Sequence, residues 1–101
     1  MELHAGQKLF STVCRTQVIV VRAPGGEVDL RCGGAPMATT DEAPDDAQPD
    51  AAWAAGTLLG KRYATDDEGL ELLCARAGAG SLGLGAAAIE VKSAKPLPAS
   101  D

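Results

Sequence analysis

At 101 residues and 10.2 kDa the chain amounts to one domain or two very small ones, a size that buries roughly 65% of the surface exposed by its unfolded form. Its 46% apolar fraction includes 19 alanines against a single Phe, Trp and Tyr, so burial per residue is low and a subunit contact or a bound metal would be needed to reinforce the core. Five of the 14 acids (Asp41, Glu42, Asp45, Asp46, Asp50) fall in residues 38–50, which hold no base, and the rest of the chain is neutral, so the net charge of −5 belongs to one segment. Scattered bases exclude a phosphate-tracking surface and hence nucleic acid. No apolar run approaches the ~20 residues of a membrane span and no basic-then-apolar leader is present, so the expectation is a cytoplasmic protein with no membrane contact.

In chain order, the first clear element is the β-branched run Gln17-Val18-Ile19-Val20-Val21, which suits a pleated, buried surface. Pro24-Gly25-Gly26 predicts a turn back into Val28-Asp29-Leu30-Arg31-Cys32, an alternating strand with Val28, Leu30 and Cys32 on one face. These two strands are expected to pair as an antiparallel hairpin. Gly33-Gly34 permits a tight turn with positive φ, and Pro36-Met37 closes the unit. Residues 38–50, with two prolines and no large apolar side chain, read as a solvated linker. Asp50 is placed to N-cap a short helical turn over residues 51–55, ended by Gly56 and anchored by Trp53. A strand over 57–63, an acidic turn over 65–69, and a strand over 70–76 with Leu70, Leu72 and Cys74 on one face follow. Strands over 81–85 and 88–92 complete a meander, and the tail 95–101, with Pro96 and Pro98, is extended.

The expected fold class is therefore mainly β. It comprises two small hairpin or meander subdomains, 1–37 and 51–101, joined by the acidic linker 38–50, with one short helical turn around Trp53. The halves share a pattern of short element, glycine-bearing turn and alternating strand ending in cysteine, with Cys32 and Cys74 each closing such a strand.

The cysteines are Cys14, Cys32 and Cys74, an odd number with no Cys-x-x-Cys pair, which argues against a closed disulfide framework. In a reducing compartment clustered thiols serve metal binding or catalysis more often than cross-linking. The stretch Gly6-Gln7-Lys8-Leu9-Phe10-Ser11-Thr12-Val13-Cys14-Arg15, continuing through the 17–21 strand and Pro24-Gly25-Gly26 to Leu30-Arg31-Cys32-Gly33-Gly34-Ala35-Pro36-Met37, resembles the desulforedoxin-like, rubredoxin-type knuckle unit, including the small N-terminal domain of desulfoferrodoxins. In that family a Cys-x-x-Cys-Gly turn leads into a β-branched strand. A glycine-rich hairpin returns to a Cys-Cys-Gly-x-x-Met turn, and four thiolates hold iron or zinc. The resemblance implies that Cys14 takes the second ligand position and Cys32 the third, with Gly34 and Met37 matching the residues that follow. Ser11 stands where the first cysteine would be, Gly33 where the last would be, and Arg15 replaces the knuckle glycine. Half the ligands are absent, so the mononuclear site cannot form within this unit alone. The dimeric habit of the family implies a homo-oligomer.

Three states of the thiols follow. Cys14, Cys32 and Cys74 with His4 could form a Cys3His zinc site. Cys14 and Cys32 could meet their copies across a twofold axis. Or the knuckle is metal-free, its cysteines packed as small hydrophobes with Cys14 and Cys32 still neighbours. The expected cofactor is thus none or zinc. The expected role is that of a small accessory or binding protein acting on a protein partner or a second copy. The rival is a small cysteine- or metal-dependent enzyme with its site between subunits, in which Cys14 beside Arg15 is a nucleophile of lowered pKa. Asp66-Asp67-Glu68 reads as a solvated turn. Gly78-Ala79-Gly80-Ser81-Leu82-Gly83 has the Gly-x-Gly-x-x-Gly outline without the helix and βαβ unit that a dinucleotide site requires.

Overall fold

A computed structural model describes residues 2–41, 47–65 and 69–91; the centre of the acidic segment, the acidic turn 66–68 and the tail 95–101 lie outside the described residues. The strands are β1 (Lys8–Phe10), β2 (Gln17–Arg22), β3 (Leu30–Cys32), β4 (Ala35–Pro36), β5 (Arg62–Ala64), β6 (Glu71–Arg76), β7 (Leu82–Leu84), β8 (Ala87–Ala88) and β9 (Glu90–Val91). Period-2 alternation sorts their side chains: Val18 and Val20 of β2, and Leu72 and Cys74 of β6, are at most 1% exposed. The protein is mainly β, with two antiparallel sheets in the orders β1-β2-β6-β5-β9 and β4-β3-β7-β8.

The pairing of these strands departs from the expected hairpin. β2 lies between β1 and β6, and β3 lies between β4 and β7, so the 17–22 and 30–32 strands belong to different sheets. The turn-rich segment 23–29 carries the chain from one sheet to the other. In place of its sequence neighbour, β2 takes β6, which offers a matching six-residue apolar strand. Each sheet consequently draws strands from both sides of residue 50.

The pairings obey a pseudo-twofold axis. In the first sheet Ile19 faces Leu73 at the centre, flanked by Val18–Cys74 and Val20–Leu72 and, further out, by Gln17–Arg76 and Arg22–Glu71. In the second sheet Arg31 faces Gly83, flanked by Leu30–Leu84 and Cys32–Leu82. Backbone hydrogen bonds repeat in step. Gly6 N donates to Val20 O at 2.7 Å as Gly60 N donates to Cys74 O at 2.9 Å, and Ser11 N donates to Thr16 O at 2.9 Å as Thr65 N donates to Leu70 O at 3.0 Å. Met37 N to Leu30 O matches Ile89 N to Leu82 O, each 3.1 Å. The two halves are therefore structural repeats in a register different from the one expected: Cys74 corresponds to Val20, and Cys32 corresponds to Leu84. One cluster of buried side chains from both sheets, including Leu9, Val18, Val20, Leu30, Cys32, Met37, Tyr63, Leu72, Cys74, Leu82 and Ile89, forms the core.

The segment joining the repeats is partly built into the fold. Asp50 N donates to Gly33 O at 2.9 Å, and the Asp50 carboxylate accepts from Ala52 N at 3.0 Å, capping a single 3-10 turn, Ala51–Trp53. This is the helical turn expected there, shortened to three residues. Trp53 lies over the axis: a Cβ on Gly83 would come within 2.7 Å of its Cζ3, so the ring needs glycine opposite Arg31. The expected 57–63 strand contracts to β5 because Gly60, at φ +79°, turns the chain, with Lys61 N donating to Leu58 O. Because both sheets are shared between repeats, the halves should melt together. Leu72→Ala is expected to cost about 2–5 kcal/mol, and calorimetry of either protein should show one transition; two separable transitions would contradict the shared sheets.

Candidate functional site

Cys14 sits in the loop between β1 and β2, and Cys32 is the last residue of β3. The loop is closed at its base by the Ser11–Thr16 backbone hydrogen bond and held internally by Ser11, whose Oγ accepts from Val13 N and Cys14 N, each at 3.1 Å. That grip turns the Cys14 side chain toward the second sheet, where its Sγ lies 3.8 Å from Cys32 Sγ. Cys14 is half-buried; Cys32 is fully buried. Ser11 Oγ and Thr16 Oγ1 stand 3.1 and 3.2 Å from the Cys14 sulfur.

The two thiols have opposite electrostatics. Burial alone would push Cys14 up, but the hydroxyls of Ser11 and Thr16 and the backbone N–H groups of Thr16 and Gly80 outweigh it and bring the thiol down to about 7. Cys32 is pushed up to about 12, first by burial and then by the negative charge of Cys14, with Thr16 and Ser11 offsetting part of the rise. Near neutrality Cys14 is therefore divided between thiol and thiolate, while Cys32 stays a thiol.

The backbone of residues 78–80 covers the site closely. A Cβ on Gly80 would lie 2.9 Å from Gly33 Cα and 3.1 Å from Cys14 Sγ, and one on Gly78 would collide with Thr16. The glycines of the Gly-x-Gly outline thus serve close backbone approach to a sulfur, not a phosphate. From outside, Cys14 opens onto a groove of about 520 Å³ lined by Val13, Arg15, Pro49, Ala54, Gly78 and Ala79 among others.

Of the four residues expected as metal ligands, Cys14 and Cys32 are brought together and Cys74 and His4 do not join them. Cys74 is buried on β6, its thiol donating to Arg76 O at 3.2 Å. His4 is exposed near the start of the chain, its Nε2 3.9 Å from Glu2. Among the described residues no group of three or more His, Cys, Asp or Glu is placed to hold a metal ion. Nor is there room for the family's four-thiolate site within one chain. The position of the missing fourth ligand is filled, since a Cβ on Gly33 would come within 2.5 Å of Val13 Cγ2 and 2.8 Å of Pro49 Cβ. Gly33 also has φ +67°, a conformation that favours glycine. Ser11, in place of the first ligand, spends its lone pairs on two N–H groups.

Sequence reasoning did not single out Thr16 or Thr57, and it noted Gly78 and Gly80 only as an incomplete dinucleotide outline. A polar residue at each end of an otherwise apolar strand prediction was the available signal.

Two consequences can be measured. Iodoacetamide should label Cys14 in the folded protein with a rate that reaches half its plateau near pH 7, leaving Cys32 unlabelled until the chain unfolds. A half-maximum near pH 9 would contradict the geometry. Stability should follow the same groups. Cys14 ionises at about 7 when folded and near 9.0 when not, so its contribution is present above pH 9 and is lost as pH falls toward 7. Cys32, still protonated when folded, removes stability as pH rises above 9.0. Between pH 7 and 9 the wild type should therefore gain stability relative to Cys14→Ser; a flat difference would contradict this.

Among the described residues no helix is long and apolar enough to cross a membrane. Comparison of the chain with family models, with curated proteins and with solved structures finds no match.

Proposed function

We propose that this chain is a small thiol–disulfide exchange protein whose dithiol is Cys14 and Cys32. The observation that carries the reading is the 3.8 Å separation of a half-buried Cys14 sulfur and a fully buried Cys32 sulfur. A disulfide needs about 2.05 Å between sulfurs, so side-chain rotation of under ~2 Å closes the gap. The division of exposure supplies the order of events, because a substrate reaches Cys14 first.

In the proposed reaction the Cys14 thiolate attacks one sulfur of a low-molecular-weight disulfide. The substrate S–S bond breaks, Cys14 forms a mixed disulfide with one half, and the other half leaves as thiolate. Cys32 then attacks the Cys14 sulfur, its proton passing to the departing second half. The products are a Cys14–Cys32 disulfide, one thiolate and one thiol. The substrate has gained two electrons and the protein has lost two. Ser11 and Thr16 hold Cys14 ionised for the first step, and they stand beside Cys32 when charge develops there in the second.

Incubation with glutathione disulfide tests this. The wild type should end as an intramolecular Cys14–Cys32 disulfide with no adduct retained. Cys32→Ser should stop at the mixed disulfide on Cys14, and Cys14→Ser should remain unmodified. An adduct that persists on wild-type Cys14, or oxidation that involves Cys74, would refute the exchange reading. Zinc retained at one equivalent per chain after purification in chelator would refute it in favour of a metal-holding accessory protein.

A further inference from the structure

We propose that Thr57 and Thr16 are positioning residues for Cys14, carrying a chain of hydrogen bonds whose donors all point toward its sulfur. The inference rests on the reading of Cys14 as the nucleophile and names what prepares it. The chain begins at Gly78, whose N–H donates to Thr57 Oγ1 at 3.0 Å. Thr57 Oγ1 lies 2.9 Å from Thr16 Oγ1, and Thr16 Oγ1 lies 3.2 Å from Cys14 Sγ. Thr57 accepts from Gly78 N, and its own proton has two acceptors in reach, Thr16 Oγ1 at 2.9 Å and Gly78 O at 3.5 Å, of which Thr16 is the closer. A protonated Cys14 donates to Thr16 Oγ1; once Cys14 is ionised the bond reverses, and Thr16, accepting from Thr57, gives its own proton to the sulfur. Each member polarises the next, so the chain delivers a stronger donor to the sulfur than a lone hydroxyl would.

The repeat supplies an internal comparison. The turn bond from Gln7 N to His4 O recurs as Lys61 N to Leu58 O, which makes Leu3 the counterpart of Thr57. The closing bonds of the two β-loops make Leu70 the counterpart of Thr16. Leu3 and Leu70 are 3% and 1% exposed, and Thr57 and Thr16 are 4% and 1%. The same places in the same fold are filled by leucine at one end of the twofold frame and by threonine at the end that carries Cys14 and Cys32, each repeat giving one threonine to that end. Burying a hydroxyl costs free energy unless it is hydrogen-bonded, and packing alone gives no reason to place two there. Ser11, Thr16 and Thr57 are three of the four buried polar or charged residues, with Glu71, among the described residues, and all three belong to the Cys14 network. Cys32 is the titratable group in contact with Cys14, and Arg15, its exposed sequence neighbour, is the charge beside it.

The test is the pH profile of iodoacetamide reaction at Cys14 in the full chain, with peptide mass locating the adduct, for wild type, Thr57→Val, Thr16→Val and Thr57→Ser. Removing a hydroxyl should slow reaction at pH 7 about threefold to tenfold and shift the half-maximum upward, with rates converging above pH ~9. Thr57→Ser, which keeps the hydroxyl, should match the wild type. Thr57→Val and Thr16→Val proteins of unchanged profile would overturn the relay, leaving the threonines as packing residues. A wild-type half-maximum near pH 9 would instead reject Cys14 as a prepared nucleophile. Should Thr57→Val not fold, Thr57→Ala reads the same quantities without adding a methyl group to the wall.

Discussion

The pairing of β2 with β6 about the Ile19–Leu73 point is the constraint on which the rest of the molecule depends. Neither strand has enough neighbours within its own repeat to bury its apolar face, and each supplies the other with the partner that its own half lacks. Once they are joined, β1 and β5 flank them as equivalent neighbours, and β3 and β7 must pair in the opposite sheet by the same axis. An alanine- and glycine-rich chain with three aromatic residues gains in this way a single core shared by both sheets. The reinforcement that composition alone made desirable is supplied at least in part by one half of the chain covering the other.

A twofold frame offers two equivalent ends, and the side chains make them different. At one end Ser11, Thr16, Thr57 and Cys32 surround Cys14. At the other the counterparts are Thr65, Leu70, Leu3 and Leu84. Ser11 Oγ accepts two N–H groups, whereas Thr65 Oγ1 is buried with no hydrogen-bond partner among the described residues. The polar end is the more expensive to build, because each buried hydroxyl must find a partner. Its network is complete because the 78–80 backbone reaches it without side chains in the way. Polar groups and packing are thus divided between the two ends of the frame, to each of which both repeats contribute: one end carries leucine where the other carries hydrogen-bonding groups.

Much of the strand content was legible because it is local. The alternation in 17–21 and 70–76, the Gly33-Gly34 turn and the Asp50 cap each follow from neighbouring residues alone. Strand partners were not legible, because β2 and β6 are chosen by matching length and apolar pattern across half the chain, and no neighbouring residue signals that choice. The same failure misassigned Cys74: it closes an alternating strand as Cys32 does, yet in the true register it replaces Val20 in the core. His4 joined the expected ligand set on residue type alone, and the fold leaves it exposed. Thr57 looked like the start of a strand, and its role emerges only once residue 78, distant in sequence, is placed against it.

The central claim is that Cys14 and Cys32 form one reversible two-electron couple. It is tested most directly by equilibrating the protein in dithiothreitol redox buffers of graded potential, quenching with acid and counting free thiols by mass. The account predicts a single Nernstian transition, close to 30 mV per tenfold change in the ratio of oxidised to reduced protein. Two thiols should be lost together, and Cys74 should stay reduced throughout. Loss of one thiol at a time, no loss at any potential that the buffer reaches, or a disulfide that includes Cys74 would contradict it.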